Sequence, residues 1–317
     1  MVEDMTRIFI GGPQRSGTSL LRSIMGSHSE IAFFPYDLKL WTKYRDLWQE
    51  KDFSSKATFG ELISRILGDE KVIIAEDVPS FEEIVSAVAK SNPSKRGPEI
   101  VFDAFLSSYA KGRGKSIYGL KTPWNEFYAE EILATFDDAI FLHVMRDPRK
   151  SALSAMFVDG GSWFYDPQLH VSRWRRSAQL ALRNKERHGS RYHVVIYEEL
   201  VKNPQSVVAS LLPKLGLSYE EGMEKGDKQP GWQGTNTSFD QPGGSSAARK
   251  PKLPPDLRHF YERRLRTELA TWGYHVEPDS RWVQALWFPV LGLRLLGVFL
   301  LHRGIHVKSV VDKIVKR

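Results

Sequence analysis

The sequence predicts an α/β fold, and three observations carry that prediction. First, residues 7–28 (RIFIGGPQRSGTSLLRSIMGSH) read as strand, tight loop and helix. Second, further short apolar runs rich in β-branched residues recur at 116–121, 139–146 and 191–196, separated by stretches with helical spacing. Third, the chain has 317 residues, of which 41% are hydrophobic and 26% charged. That composition suits a globular chain and that length a single α/β domain with insertions.

The first segment is the most informative. Arg7 to Ile10 forms a buried strand, Gly11, Gly12 and Pro13 end it, and Gly17 opens a helix whose apolar positions are Leu20, Leu21, Ile24 and Met25. The loop between, Pro13 to Ser19, offers backbone N–H groups, hydroxyls and one cation at a helix N-terminus, which is a site for an anion. The Walker A pattern, G-x-x-x-x-G-K-[ST], is matched in its glycines by Gly12 and Gly17. Its lysine slot holds Thr18, however, and the cation has moved to Arg15.

The remaining elements follow in order. Residues 31–34 make a second short strand, and 38–111 a mostly helical insertion with Trp41, Tyr44 and Trp48 at helical spacing, as are Leu62, Ile63, Ile66 and Leu67. Both sets are read as core. Residues 90–99 are polar and basic and read as a surface loop. Strand 116–121 ends at Lys121-Thr122-Pro123. Strand 139–146 is continuously apolar, as a buried parallel strand should be. His143 within it is read as a satisfied core histidine, and Pro148 beyond it sits where a helix starts. A basic amphipathic helix is expected over 167–187, a strand over 191–196, a mobile loop over 224–256 and a helix over 257–272.

Composition excludes some chemistry. The chain contains no cysteine, so disulfides, thiolate catalysis and zinc–thiolate sites are ruled out. A formal charge of +7 favours an anionic partner, but the basic residues are spread along the chain and no nucleic-acid module stands out. The first strand begins close to Met1, leaving no room for a signal peptide, so a cytoplasmic, bacterial enzyme is expected.

Four motifs together resemble the sulfotransferases that use 3'-phosphoadenosine 5'-phosphosulfate (PAPS). The loop Arg15-Ser16-Gly17-Thr18-Ser19 is similar to their [KR]-[ST]-G-T-[ST] segment. Lys121-Thr122-Pro123 resembles their K-T-P or K-T-H motif, and Arg146-Asp147-Pro148 with Ser154 their R-[DN]-P-x-[DKS]-x-x-x-S signature. Tyr197-Glu198-Glu199-Leu200 followed by Asn203-Pro204 resembles Y-E-[DE]-L-x-x-[ND]-P. The resemblance implies a P-loop NTPase-like sandwich around a parallel sheet, within a domain spanning 1–275.

By that resemblance Arg15, Ser16, Gly17, Thr18 and Ser19 hold the 5'-phosphosulfate, Arg146 and Ser154 the 3'-phosphate, and Tyr197 lies against the nucleotide. Arg249 and Lys250 correspond weakly to a basic cluster at the 3'-phosphate, and Asn236, Ser245 and Ser246 more weakly still. Lys121 contacts the leaving oxygen or the sulfuryl oxygens, where charge develops. The family's catalytic glutamate falls on Tyr36, so Asp37, one position later, is the candidate general base, with Glu126 and then His28 behind it. Residue by residue, plainer readings stand beside these: Asp37 as a helix N-cap, Lys121 as a solvated strand-end lysine, Tyr197 as a packing residue.

The expected reaction is sulfuryl transfer from PAPS to an acceptor hydroxyl, with no metal required because Arg15 and Lys121 supply the charge. A glycan or lipid acceptor is favoured over a small molecule, and nucleic acid is not expected as a partner. A nucleotide-dependent kinase and a non-catalytic membrane-associated member of the fold are the alternatives. The tail 276–317 is apolar over 282–304 and basic beyond. It is expected to be helical, and to pack on the core, to join a second copy in a homodimer, or to lie on the inner face of a membrane. Arg294 in its middle argues against spanning.

Overall fold

In the computed structural model the described residues are 5–53, 55–90, 97–158, 166–226, 252–276 and 289–298. In chain order they form β1 (Arg7–Gly11), α1 (Thr18–Gly26) and β2 (Ile31–Phe33), then a π-helical turn (Leu40–Arg45). The insertion continues with α2 (Asp46–Trp48), α3 (Lys56–Leu67), α4 (Glu70–Ile73), α5 (Phe81–Lys90) and α6 (Pro98–Gly112). After these come β3 (Ile117–Lys121), α7 (Ala129–Thr135), β4 (Ala139–Met145), α8 (Pro148–Val158), α9 (Pro167–His188) and β5 (Tyr192–Ile196). The last labelled elements are α10 (Tyr197–Lys202), α11 (Pro204–Leu211), α12 (Pro255–Arg264) and α13 (Arg266–Thr271).

The chain forms two compact units. The first, Met1–Pro13, Gly17–Met145 and Leu180–Ser245, contains the sheet. All four strand pairings are parallel, in the order β2-β3-β1-β4-β5, with Ile10 opposite Lys121 on one side and Leu142 on the other. Successive side chains leave a strand on opposite faces, so β1 sends Phe9 into one core and Ile8 and Ile10 into another. The second core is closed by Leu21, Ile24 and Met25 of α1 with Leu200 and Val208. The first is closed by the insertion: Trp41, Leu62, Ile63, Phe102 and Phe105 pack on the sheet's other face with Phe9, Leu120 and Phe141. What reads in sequence as an insertion therefore covers one face of the sheet, together with Ile132, Leu133 and Phe136.

Arg7 opens β1 and cannot enter the core uncompensated. Its guanidinium bonds Asp103 at 2.7 and 3.0 Å, pairs with Asp138, and lies 4.9 Å above the Phe136 ring. The histidine expected to be satisfied in β4 is so: His143 Nδ1 is 2.6 Å from the Tyr192 hydroxyl, and burial lowers its pKa to about 3.

The second unit comprises Gln14–Ser16, Arg146–Gln179 and Ser246–Arg317. Its buried side chains include Ala152, Met156, Trp174, Leu257, Tyr261, Leu265 and Leu269. The helix expected over 257–272 is broken: Leu265, at φ −118° and ψ 21°, separates α12 from α13 while remaining buried. Within the stretch expected as a surface loop, α6 already starts at Pro98, the favoured first helical position for proline.

Candidate active site

Parallel strands present their carboxyl ends on one edge, where ligands bind in such sheets. In the first unit β1 runs into Gly12, whose N–H donates to Glu126 Oε2 at 2.7 Å. The segment after β3 clasps the same strand end. Thr122 N–H donates to Ile10 O at 3.2 Å and Trp124 N–H to Gly12 O at 3.4 Å, with Trp124 in the left-handed region at φ +73°. Glu126 is buried and serves as an acceptor for the loop backbone, a role the sequence did not suggest for a second-choice base. Gly11 fits this clasp because a Cβ there would lie 2.6 Å from Glu126 N.

Lys121 ends β3 and is only 4% exposed, so it is not a solvated strand-end lysine. Its Nζ pairs with the Asp37 carboxylate, which is 39% exposed and so open to solvent on one side. The segment carrying Asp37 is fixed at both ends. Arg22 of α1, itself buried, donates to Pro35 O, and Thr122 Oγ1 donates to Leu38 O at 2.9 Å. Asp37 does not cap a helix: the following π-helical turn begins at Leu40, with Lys39 in the cap position. The physical reason is the buried cation beside it, a stronger partner for a carboxylate than backbone N–H groups. Arg22 is the residue sequence reasoning missed; an arginine one position beyond Leu21 on a helix that packs against the sheet was the signal available.

His28, the third candidate base, is buried and engaged. Its Nδ1 accepts from Glu30 N–H at 3.0 Å and its Nε2 lies 3.0 Å from Ser218 O.

Gly17, at φ +99°, is the N-cap residue of α1. A Cβ there would lie 2.2 Å from Cδ2 of Tyr197, so the tyrosine ring covers the loop glycine. No side chain caps α1 and no acidic residue stands in its first turn. The N–H groups and positive end of the dipole around Thr18 and Ser19 are thus left for an anion.

In the second unit three sequence-predicted residues come together. Arg15 Nε donates to Ser154 Oγ at 3.0 Å, and Arg146 Nη1 donates to Arg15 O at 2.9 Å. Arg15 holds a positive φ of 63°. Ser16 Oγ is buried with no hydrogen-bond partner among the described residues. Trp174 Nε1 fixes the backbone of Arg146 by donating to its carbonyl at 2.9 Å. Arg149 is committed elsewhere, to Asp147 at 2.9 Å and Glu262 at 2.6 Å. Arg249, Lys250, Asn236, Ser245 and Ser246 lie outside the described residues. Among the described residues no cluster of His, Asp and Glu is arranged to hold a metal ion.

Among solved structures, the sulfotransferase domain of the Synechococcus PCC 7002 olefin synthase is 17% identical over 87% of this chain and 97% of that one, with a TM-score of 0.47. The sulfotransferase domain from the curacin biosynthetic pathway is 18% identical over 85% and 98%, with a TM-score of 0.48. A mouse sulfotransferase complexed with PAP is 10% identical over 83% and 84%, with a TM-score of 0.46. No curated protein matches the chain. The model of the sulfotransferase family matches residues 7–221, which hold every element of the sheet together with Arg15, Asp37, Lys121, Arg146, Ser154 and Tyr197. The chain belongs to the sulfotransferase family.

Proposed function

We propose that the protein moves the sulfuryl group of PAPS to an acceptor hydroxyl and releases 3'-phosphoadenosine 5'-phosphate (PAP). The observation that carries this reading is the cluster of Arg15, Arg146 and Ser154, in which a cation of the loop meets two residues more than 130 positions away. Arginine forks match phosphate oxygens in geometry and charge. Arg146 and Ser154 are assigned to the 3'-phosphate, and Arg15, Ser16, Gly17, Thr18 and Ser19 to the 5'-phosphosulfate. The orphaned Ser16 hydroxyl and the uncapped start of α1 suit such an anion. Tyr197 holds the loop from above Gly17.

The chemistry is an in-line displacement at sulfur. The acceptor oxygen forms a bond to sulfur as the bond to the bridging phosphate oxygen breaks. Asp37 takes the acceptor's proton, and Lys121 meets the charge that grows on the leaving oxygen. Asp37 and Lys121 are paired directly with each other, which supports a shared part for them in the reaction. A glycan or lipid hydroxyl is the favoured acceptor class, given the aromatic layer of residues 38–111 and the net charge of +7.

The test is thermal stabilisation by PAP, ADP and ATP with Mg²⁺. PAP without metal is expected to stabilise far more than ADP, and Arg146→Ala to erase that preference. Equal stabilisation by PAP and ADP would remove the 3'-phosphate assignment, and a preference for ATP with Mg²⁺ would replace the reading with a kinase.

A further inference from the structure

Residues 289–298 are helical and carry their polarity the wrong way round for a helix in water. Arg294, their one charged residue, points inward: its Nε donates at 2.9 Å to Oδ2 of the buried Asp256 in the first turn of α12. Val298 is buried on the same side. The outward face is made of Pro289, Val290, Gly292, Leu293 and Leu296, with Leu293 73% and Leu296 52% exposed. Nine large hydrophobic side chains are exposed among the described residues, and three of them stand within these ten residues.

Such a face needs a cover, and the sequence around it states which. Trp282, Trp287 and Phe288 precede it, residue types that favour the boundary between lipid and water. Residues 299–317 carry Arg303, Lys308, Lys313, Lys316 and Arg317 against a single Asp312. A protein partner would need an apolar patch ringed by acid; an anionic bilayer offers both at once. No helix of the described residues is long and apolar enough to cross a membrane, and the Arg294–Asp256 pair keeps one side of this helix against protein. The Asp256 pair also turns the charge of Arg294 toward protein rather than lipid.

We propose that the helix at 289–298 docks the protein on an anionic membrane surface, with Leu293 and Leu296 entering the acyl boundary. The proposal goes beyond sulfuryl transfer and does not depend on it.

The test is flotation of the full chain with vesicles of phosphatidylcholine alone or mixed with phosphatidylglycerol. Binding is expected on the mixed vesicles, weaker on the neutral ones, and reduced by salt. The double variant Leu293→Glu/Leu296→Glu should lower binding by about tenfold or more, since each leucine loses apolar burial. The milder Leu293→Ala/Leu296→Ala variant should lower it less, with an unchanged melting temperature as the control for folding. The proposal falls if the native chain fails to float with anionic vesicles, or if both variants float as it does. It also falls if sedimentation shows a native dimer that the variants convert to monomer, since a second copy would then be the cover.

Discussion

Replacing Asp37 by Asn removes a proton acceptor while keeping size and one oxygen for the Lys121 ammonium. Its carboxylate is 39% exposed, so its pairing with Lys121 is partly screened by water. With an amide oxygen still facing Nζ, the loss of fold stability should stay near 1 kcal/mol. The catalytic loss should be much larger, because positioned general-base catalysis is worth about 10²- to 10⁴-fold, or about 3–5 kcal/mol of barrier. The assay is turnover at saturating PAPS on two acceptors, an alkyl alcohol and an acidic phenol that sheds its proton unaided. The Asn variant should lose most of its activity on the alcohol, far less on the phenol, and retain PAP binding. An equal loss on both acceptors would mean that Asp37 only holds Lys121 in place. Near-native turnover on the alcohol would remove it from the mechanism altogether.

The other predictions rest on neighbouring features. Lys121→Ala should reduce turnover far more than PAP affinity, because its interaction strengthens as charge reaches the leaving oxygen; a parallel collapse of affinity with unchanged turnover would make it a binding residue only. Glu126→Ala orphans the buried Gly12 N–H and should cost about 1–3 kcal/mol in chemical denaturation. Glu126→Gln keeps an acceptor and should cost less; equal losses would show that the hydrogen bond is not what matters. Gly17→Ala puts a Cβ 2.2 Å from the Tyr197 ring at a positive φ and should destabilise the fold by about 2–4 kcal/mol, with part of the loss recovered in a Gly17→Ala/Tyr197→Ala double variant if the overlap is real. Burial holds both His143 and His170 at about 3, against about 6.5 for histidine in an unfolded chain. The unfolded state therefore binds the extra protons between those values, and stability should fall as pH drops below about 6.5, by about 2 kcal/mol for each histidine down to pH ~5. Urea midpoints across that range check the slope, and His143→Gln should flatten it.

How much was legible in advance follows from the range of the forces involved. Strand and helix periodicity is local, so the five strands, the helix after the loop and the proline-led start of α8 could all be read from residues within a few positions of one another. The loop was legible for the same reason: a glycine pair, one cation and three hydroxyls within eight residues describe an anion site before any packing occurs. The sequence also marked Lys121, Arg146 and Ser154 as candidates, by resemblance rather than by physics.

What only the tertiary structure decided is who meets whom. Nothing local says that residues 38–111 pack over one sheet face, because the aromatic spacing of Trp41 and Trp48 fits a self-contained helical hairpin equally well. The choice for Asp37 between a helix cap and a cation was decided by Lys121, 84 positions away, and the carboxylate of Glu126 was claimed by a backbone N–H 114 positions away. At the tail, sequence alone set Arg294 against a membrane-spanning role, whereas the fold turns it toward Asp256 and leaves the leucines outside. Desolvation is the common physical reason: a buried charge must find a partner, and which partner lies within reach is fixed only when distant segments are brought to the same place.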